Sequence, residues 1–193
     1  MSNHDTGPPG GEQRFTELFA ETYASVLRFI QRRVHPSHAE DIASEVFLVA
    51  WRRLADVPED PDDARAWLFG VARLTLLSGV RGQLRQQALA VRVAENGLGQ
   101  GSDSIGFDPD LVARRLDLAQ AWRRLSTAHQ EALSLTVWDG LDSPRAARVL
   151  GISPVAYRLR LSRARRALRA LAESLPQARR EELPEAETSR STS

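Results

Sequence analysis

Residues 143–172 read SPRAARVLGISPVAYRLRLSRARRALRALA and carry the strongest structural signal in this 193-residue chain. Two Ser-Pro pairs, at Ser143 and Ser153, each place a capping hydroxyl before a proline at the start of a predicted helix. Between them, Gly151 supplies a residue that readily adopts the positive φ of a helix C-terminus. A short helix, a tight turn and a longer helix form the layout of a helix-turn-helix.

The longer helix of this segment has two chemically different faces. An apolar stripe at four- and three-residue spacing predicts the core-facing side, which comprises Tyr157, Leu161, Ala164, Leu168 and Leu171. The opposite face presents Val155, Arg158, Leu159, Ser162, Arg166 and Arg169, with Arg163 at its edge. Guanidinium groups suit phosphates and guanine edges, whereas small or apolar groups can contact thymine methyls. The formal net charge is only +1, but this segment holds eight arginines and no acid, which favours DNA binding over a generic basic surface.

The remaining sequence predicts an all-α protein, because helical periodicity recurs nearly everywhere and no alternating strand pattern is convincing. Apolar residues between positions 15 and 34 predict a first helix that stops near His35-Pro36. Ser37, in a capping-box arrangement with the glutamate three residues later, is expected to open a second helix. The acidic, proline-containing segment 55–63 predicts a loop, and a third helix is expected from about Ala64.

The predicted helices fall into two small domains, which we assign to residues 14–95 and 110–175. Between these domains, residues 96–109 contain four glycines and have the composition of a flexible linker. The two ends of the chain, 1–13 and 176–193, are polar and are expected to be disordered.

Composition and motifs argue against several functional classes. Cysteine is absent, which excludes disulfides, zinc ribbons and cysteine nucleophiles. No apolar run reaches transmembrane length and no signal-peptide stretch opens the sequence, so we expect a cytoplasmic protein without membrane insertion. His35 and His38 lie beside two acids, but they span a proline-containing junction, which favours a solvated role over a metal site. Because phosphate-loop and serine-nucleophile motifs are also missing, we expect no catalytic residue, metal or cofactor.

Three blocks of the sequence resemble a known family. Residues 39–54 (AEDIASEVFLVAWRRL) and 65–73 (RAWLFGVAR) are similar to the first conserved domain of the extracytoplasmic-function group of the bacterial sigma-70 family. Residues 158–165 (RLRLSRAR) resemble the end of the second conserved domain. Because both domains match in the same order, the resemblance covers nearly the whole ordered chain, about residues 15–175.

This resemblance implies a transcription initiation factor that lends promoter recognition to RNA polymerase and catalyses nothing itself. The helix that matches 39–54 docks on the largest polymerase subunit in the family, which makes Asp41, Ile42, Glu45 and Leu48 the candidate polymerase contacts. The implied partners are core RNA polymerase, promoter DNA and an inhibitory anti-sigma protein.

The resemblance also divides promoter recognition between the two domains. The helix that begins at Pro154 corresponds to the reader of the minus-35 element, with Arg158, Leu159, Ser162, Arg163 and Arg166 as candidate DNA contacts. The acidic loop 55–63 corresponds to the loop that captures a flipped base of the minus-10 element, and Arg73, Leu74 and Arg81 follow it. Trp51 and Trp67 are expected in the core rather than as platforms for bases.

Four departures from the family pattern affect the expected promoter sequence. Ser44 stands where a glutamine is common and Leu74 where an asparagine is usual. Leu159 stands where a serine is frequent, and Tyr157 stands where a valine usually packs. The alternative function is a stand-alone helix-turn-helix regulator that binds operators as a dimer, although no heptad repeat supplies a dimer seam.

Overall fold

The structure, a computed structural model, describes residues 11–79 and 109–181. The predicted linker, apart from Pro109, and the predicted DNA contact Arg81 lie outside the described residues. The described residues form seven α-helices and one short 3-10 turn, without a strand, which confirms the all-α prediction. None of the described helices is long and apolar enough to cross a membrane.

The N-terminal domain contains the first three helices. They are α1 (Gly11–Gln31), α2 (Pro36–Arg52) and α3 (Pro61–Gly79), with the 3-10 turn Leu54–Asp56 after α2. The apolar stripes of these helices meet in a shared core, where the rings of Phe29 and Phe69 stack with their centroids 4.8 Å apart. This packing holds α1 against α3.

The C-terminal domain contains the remaining four helices. They are α4 (Pro109–Arg124), α5 (Thr127–Val137), α6 (Ser143–Leu150) and α7 (Pro154–Glu181). The α7 stripe predicted from the sequence faces the core as expected, since Tyr157, Leu161 and Ala164 are buried and Leu168 and Leu171 are partly buried.

Several helices begin at residues other than the predicted ones, because a proline takes the first helical position or a neighbouring side chain supplies the cap. The helix α3 begins at Pro61 rather than Ala64, since a proline at the first helical position needs no hydrogen-bond donor. Asp60 caps this start, with Oδ1 accepting from the Asp63 amide at 2.9 Å. His35 rather than Ser37 caps α2, and its ring accepts from the Ser37 amide at 3.4 Å.

Two helices also extend beyond the predicted domains. The helix α1 begins at Gly11, inside the predicted tail 1–13, and α7 continues through Pro176 to Glu181. The residues at both extensions are mainly glutamate, glutamine, arginine and alanine, which have high helix propensity. A proline removes one hydrogen bond from a helix and often bends it, but does not have to end it.

The two domains pack against each other rather than standing apart. Helix α3 of the N-terminal domain lies against α6 of the C-terminal domain. The buried apolar residues of both domains belong to one contiguous cluster. The faces that each domain turns toward the other are therefore partly withdrawn from water.

Candidate nucleic-acid interface

The helix-turn-helix is formed by α6 and α7 and is closed by a glycine turn. Gly151 has a φ of +66°, in the left-handed region, and ends α6 as predicted. The amide of Ile152 donates to the Ala147 carbonyl at 3.0 Å, which satisfies one of the last carbonyls of the helix. Ser153 then caps α7, with Oγ accepting from the Ala156 amide at 3.2 Å.

The start of α6 corrects one expectation from the sequence. The capping residue is Asp142, whose carboxylate accepts from the Arg145 amide at 2.9 Å, while Ser143 is the first helical residue. Asp and Ser are both strong N-cap residues, so adjacent candidates can be distinguished only by the backbone path.

Tyr157 anchors α7 to α5 from inside the core. Its side chain is fully buried, and its hydroxyl donates to the Ala132 carbonyl at 2.7 Å. The same hydroxyl lies 2.7 Å from Oγ1 of Thr136. The tyrosine that replaces the usual valine therefore has hydrogen-bond partners for its polar atom.

The outward face of α7 carries the residues predicted to read DNA. Leu159 is half exposed, and the predicted arginine and serine contacts on this face are also exposed: Arg158, Ser162, Arg163 and Arg166. A groove runs beside this face and is bordered by arginine side chains, by the hydroxyl-bearing Thr136, Ser143 and Ser162, and by Asp142, whose carboxylate is paired with Arg145. The arrangement offers cationic and hydroxyl donors to an anionic partner.

On the N-terminal domain, the predicted polymerase contacts share one side of α2. Asp41, Glu45 and Leu48 are exposed and recur at four- and three-residue steps, whereas Ile42 is partly buried. This surface combines two carboxylates with an exposed leucine.

The two described minus-10 candidates have different surroundings: Leu74 is exposed to solvent, whereas Arg73 forms an ion pair. Leu74 is 64% exposed on α3. The neighbouring Arg73 is engaged by the C-terminal domain: Nε donates to one oxygen of Glu131 at 2.8 Å, and a terminal nitrogen lies 3.4 Å from the other. Glu131 is almost fully buried, so this ion pair lies inside the contact between the domains.

The acidic loop also faces the C-terminal domain, a relationship that local sequence patterns gave no sign of. Arg145 of α6 donates to Asp63 at 2.6 Å and to Asp60 at 3.0 Å. Arg148 donates to Asp63 at 2.6 Å. These hydrogen bonds from Arg148 and Arg145 lower the pKa of Asp63. A charge count that treats the loop acids as free therefore overstates their repulsion of phosphates.

A third contact between the domains lies at the end of α1. Arg32 forms an ion pair with Asp139, whose carboxylate is almost entirely buried. Arg33 beside it is buried, donates to Ser134 Oγ at 3.3 Å, and stacks its guanidinium 3.6 Å from the centre of the Phe29 ring. Burial lowers the pKa of Arg33 to about 10 and raises the pKa of Asp139. Arg33 thus stays charged at neutral pH.

The aromatic and histidine candidates have structural surroundings. Trp51 is partly buried and meets the ring of Phe15 edge-on at 5.1 Å, and Trp67 is partly buried against the core. His35 and His38 both lie within hydrogen-bond distance of Ser37 Oγ. Within residues 11–79 and 109–181, no group of three or more histidine and acidic residues is arranged to hold a metal ion.

Comparison with family models assigns a separate match to each domain. The sigma-70 region 2 model matches residues 18–86, and the sigma-70 region 4 model matches residues 115–168. A stand-alone helix-turn-helix regulator would not account for the first of these matches.

Individual proteins give the same family. The RNA polymerase sigma factor CnrH of Cupriavidus metallidurans is 32% identical over 84% of this chain and 88% of its own length. The ECF RNA polymerase sigma factor SigL of Mycobacterium tuberculosis is 29% identical over 85% of this chain and 92% of its own.

Solved structures extend the comparison to the fold. CnrH in complex with the cytosolic domain of CnrY superimposes with a TM-score of 0.56 at 25% identity, over 86% of this chain and 92% of that one. The sigma factor RpoE of Bartonella quintana, solved with the anti-sigma factor NepR, has the same fold, with a TM-score of 0.58 at 20% identity, over 83% and 98% of the two chains. With both domains matched in order and full-length relatives in the same group, this chain belongs to the extracytoplasmic-function group of the sigma-70 family of RNA polymerase sigma factors.

Proposed function

We propose that this protein binds core RNA polymerase and directs it to promoters through separate contacts with the minus-10 and minus-35 elements. The observation that carries this proposal is the exposed arginine face of α7, presented by a helix-turn-helix in the same chain as a region 2 domain. The polymerase supplies the chemistry of RNA synthesis, and this chain supplies recognition without a catalytic group of its own. Such a factor acts in the cytoplasm, where polymerase and chromosome meet.

The minus-35 element is read by the outward face of α7. Arg158 and Arg163 are placed to reach base edges or phosphates, because both are exposed near the start of a helix that a capped turn presents outward. Leu159, half exposed, offers an apolar surface to a thymine methyl. Arg166 lies farther along the helix and is better placed for the backbone.

Polymerase binds the exposed side of α2. Asp41 and Glu45 supply negative charge, and Leu48, 47% exposed, supplies apolar area that folding leaves uncovered. Ile42 supports this surface from its partly buried position. A single exposed leucine destabilises the free protein little, but its burial contributes to the free energy of binding when a partner covers it.

The minus-10 element is engaged from α3 and the loop before it. Leu74 offers an apolar contact to an unstacked base, and Arg73 offers a cation to the displaced strand. Arg81, which lies outside the described residues, is the third candidate contact.

An anti-sigma protein is the proposed regulator. Support comes from the structure of CnrH, solved with the cytosolic domain of CnrY, since CnrH is similar to this chain along most of its length. A partner of this kind would act by covering surfaces that polymerase needs.

Run-off transcription with core polymerase on sheared genomic DNA tests the proposal directly. We expect discrete transcripts that require this protein, and co-elution of the protein with core polymerase. Leu48→Asn should weaken polymerase binding, whereas Leu116→Asn, at a leucine of similar exposure on α4, should not. Absence of both co-elution and stimulated transcription would refute the proposed function.

A further inference from the structure

Three sets of ion pairs join the two domains, and each set pairs arginine side chains of one domain with carboxylates of the other. They are Arg73 with Glu131, Arg32 with Asp139, and Arg145 and Arg148 of α6 with Asp60 and Asp63 at the start of α3. We call this set the interdomain ion pairs. Each pair joins residues at least 58 positions apart, so it reports on tertiary packing and not on local helix stability.

The interdomain ion pairs affect the two DNA-binding surfaces differently. Arg73, the proposed cation for the minus-10 strand, is only 19% exposed and has its guanidinium directed at Glu131. Asp60 and Asp63, which flank the proposed base-capture site, are held by α6. The reading face of α7 is exposed at the same time, with Val155 at 66% and Leu159 at 51%. The minus-10 surface is therefore occupied by the C-terminal domain, whereas the minus-35 face of α7 is available to DNA.

The interface is also built so that it can separate. Its outer pairs are solvent-accessible, with the side chains of Arg148 and Asp60 58% and 56% exposed, and exposed pairs contribute little net stability and are screened by salt. Its inner pairs had to be desolvated, and Arg32 Nε and Asp139 Oδ2 have no hydrogen-bond partner within the protein. When the domains part, all these charged groups regain water, which offsets part of the cost of separating the apolar contacts between the domains.

We propose that the interdomain ion pairs hold the free protein in a closed conformation, in which the C-terminal domain occupies the minus-10 surface and leaves the minus-35 helix exposed. In this conformation, Arg73 and the loop acids contact their own chain in place of promoter DNA. Opening of the interface precedes engagement of the minus-10 element. The role assigned to the minus-10 and minus-35 surfaces rests on the proposed function; the closed conformation itself does not.

The absence of cysteine makes the conformation directly measurable. Ala24 on α1 and Ala128 on α5 are both exposed, so each can be replaced by cysteine and spin-labelled. Pulsed electron paramagnetic resonance then measures the distance between the two labels, one on each domain. In dilute buffer, we expect one narrow distance distribution. It should broaden toward longer distances at about 1 M salt, where the screening length falls to about 3 Å. A broad distribution at low salt would overturn the proposal.

Two substitutions, with a matched control, assign the closure to these pairs. Glu131→Gln removes the partner of Arg73, and Asp63→Asn removes the partner of Arg148 and one of the two interdomain partners of Arg145, which keeps Asp60. The double variant should therefore show a broader distribution than the parent protein even at low salt. Asp62→Asn is the control: it removes one charge from the same loop, but Asp62 pairs with Arg65 inside α3. Circular dichroism of each variant should show unchanged helix content. A folded double variant with the narrow distribution of the parent protein would contradict the proposal.

A binding measurement then tests the consequence for promoter recognition. The probes are the minus-35 duplex and the single-stranded minus-10 segment of a promoter selected by the run-off experiment. Freeing the minus-10 surface with Glu131→Gln should tighten binding of the single strand at least about threefold, because apparent affinity scales with the open fraction. Binding of the duplex should stay unchanged. Equal single-strand affinity for the parent and Glu131→Gln would overturn the proposal, while failure to select any promoter would count against the proposed function alone, since the distance measurement needs no DNA.

Discussion

The hydroxyl groups of Tyr157 and Thr136 lie 2.7 Å apart and join the DNA-reading helix α7 to α5. Because the single proton of the tyrosine hydroxyl is directed to the Ala132 carbonyl, the Thr136 hydroxyl donates to the tyrosine oxygen. The orientation of α7 thus depends on a buried polar contact as well as on the fit of apolar side chains.

Removing this polar contact should cost less than removing the ring. Tyr157→Phe keeps the ring and loses the hydroxyl, so the free energy of unfolding should fall by about 1 kcal/mol. Tyr157→Val restores the usual family residue but leaves a cavity, and should cost about 2–4 kcal/mol. Urea-induced unfolding followed by circular dichroism measures both. A valine variant as stable as the parent would show that the core around this position relaxes to fill the space.

The glycine turn gives a second stability prediction with an internal control. Gly151→Ala should destabilise the fold by about 1–2 kcal/mol, because a residue with a Cβ is strained at a φ of +66°. No atom lies within 4 Å of the added Cβ, so the cost comes from backbone conformation and not from a clash. Gly70→Ala, which also has free space but lies inside α3, should instead stabilise by about 0.5–1 kcal/mol. If thermal unfolding moves both variants in the same direction, the left-handed geometry is not responsible.

The arginines of α7 should differ in how they affect sequence specificity. Arg158→Ala and Arg163→Ala should each weaken binding to a minus-35 duplex by roughly 1–3 kcal/mol if the contact is to a base edge. Arg169→Ala should behave as the loss of a phosphate contact at most, with similar effects on any duplex. Arg123→Ala, at an exposed arginine of α4, serves as a charge control. Equal losses on the specific and a scrambled duplex for Arg158, Arg163 and Arg169 would reduce α7 to a nonspecific basic surface.

Opening of the promoter duplex, rather than promoter binding, is expected to limit the rate of initiation, and substitution of Leu74 tests this expectation. A leucine side chain cannot hydrogen-bond a base edge, and this one is well exposed on α3, so Leu74→Asn should improve opening at little cost to folding. Permanganate reactivity of the minus-10 thymines measures opening on the duplex. A template with those bases already unpaired should rescue transcription strongly in the parent protein. If duplex and premelted templates initiate at the same rate, opening does not limit this protein.

Features set by nearby residues could be predicted from the sequence. The predicted roles of Gly151 and Ser153 are confirmed, because a left-handed turn and a serine cap depend on a few adjacent positions. The apolar stripe of α7 was also recognisable, since it follows from helical spacing alone. The start of α3 is harder to predict, because a proline such as Pro61 breaks a helix in its interior but is favourable at its first position.

The contact between the domains could not be predicted in the same way. The sequence indicates Arg73 as a DNA contact and Asp63 as part of an acidic loop, because a sequence shows the sign of each charge but not its partner. Glu131 on α5 and Asp139 just after it carry no such signal, since a single acid on a helix or in a turn is usually solvated. Their roles follow from the packing of α5 against the N-terminal domain.

The matched charges across the two domains also limit which domains of related proteins can be exchanged into this chain. Transplanting the helix-turn-helix of a relative would import its promoter preference, but would place foreign side chains opposite Asp60 and Asp63 of this chain. Such a chimera would recognise the intended DNA but would be misregulated if its interdomain contact were too weak to close or too stable to open. Over evolutionary time, the acids of one domain and the arginines of the other should be inherited as a set.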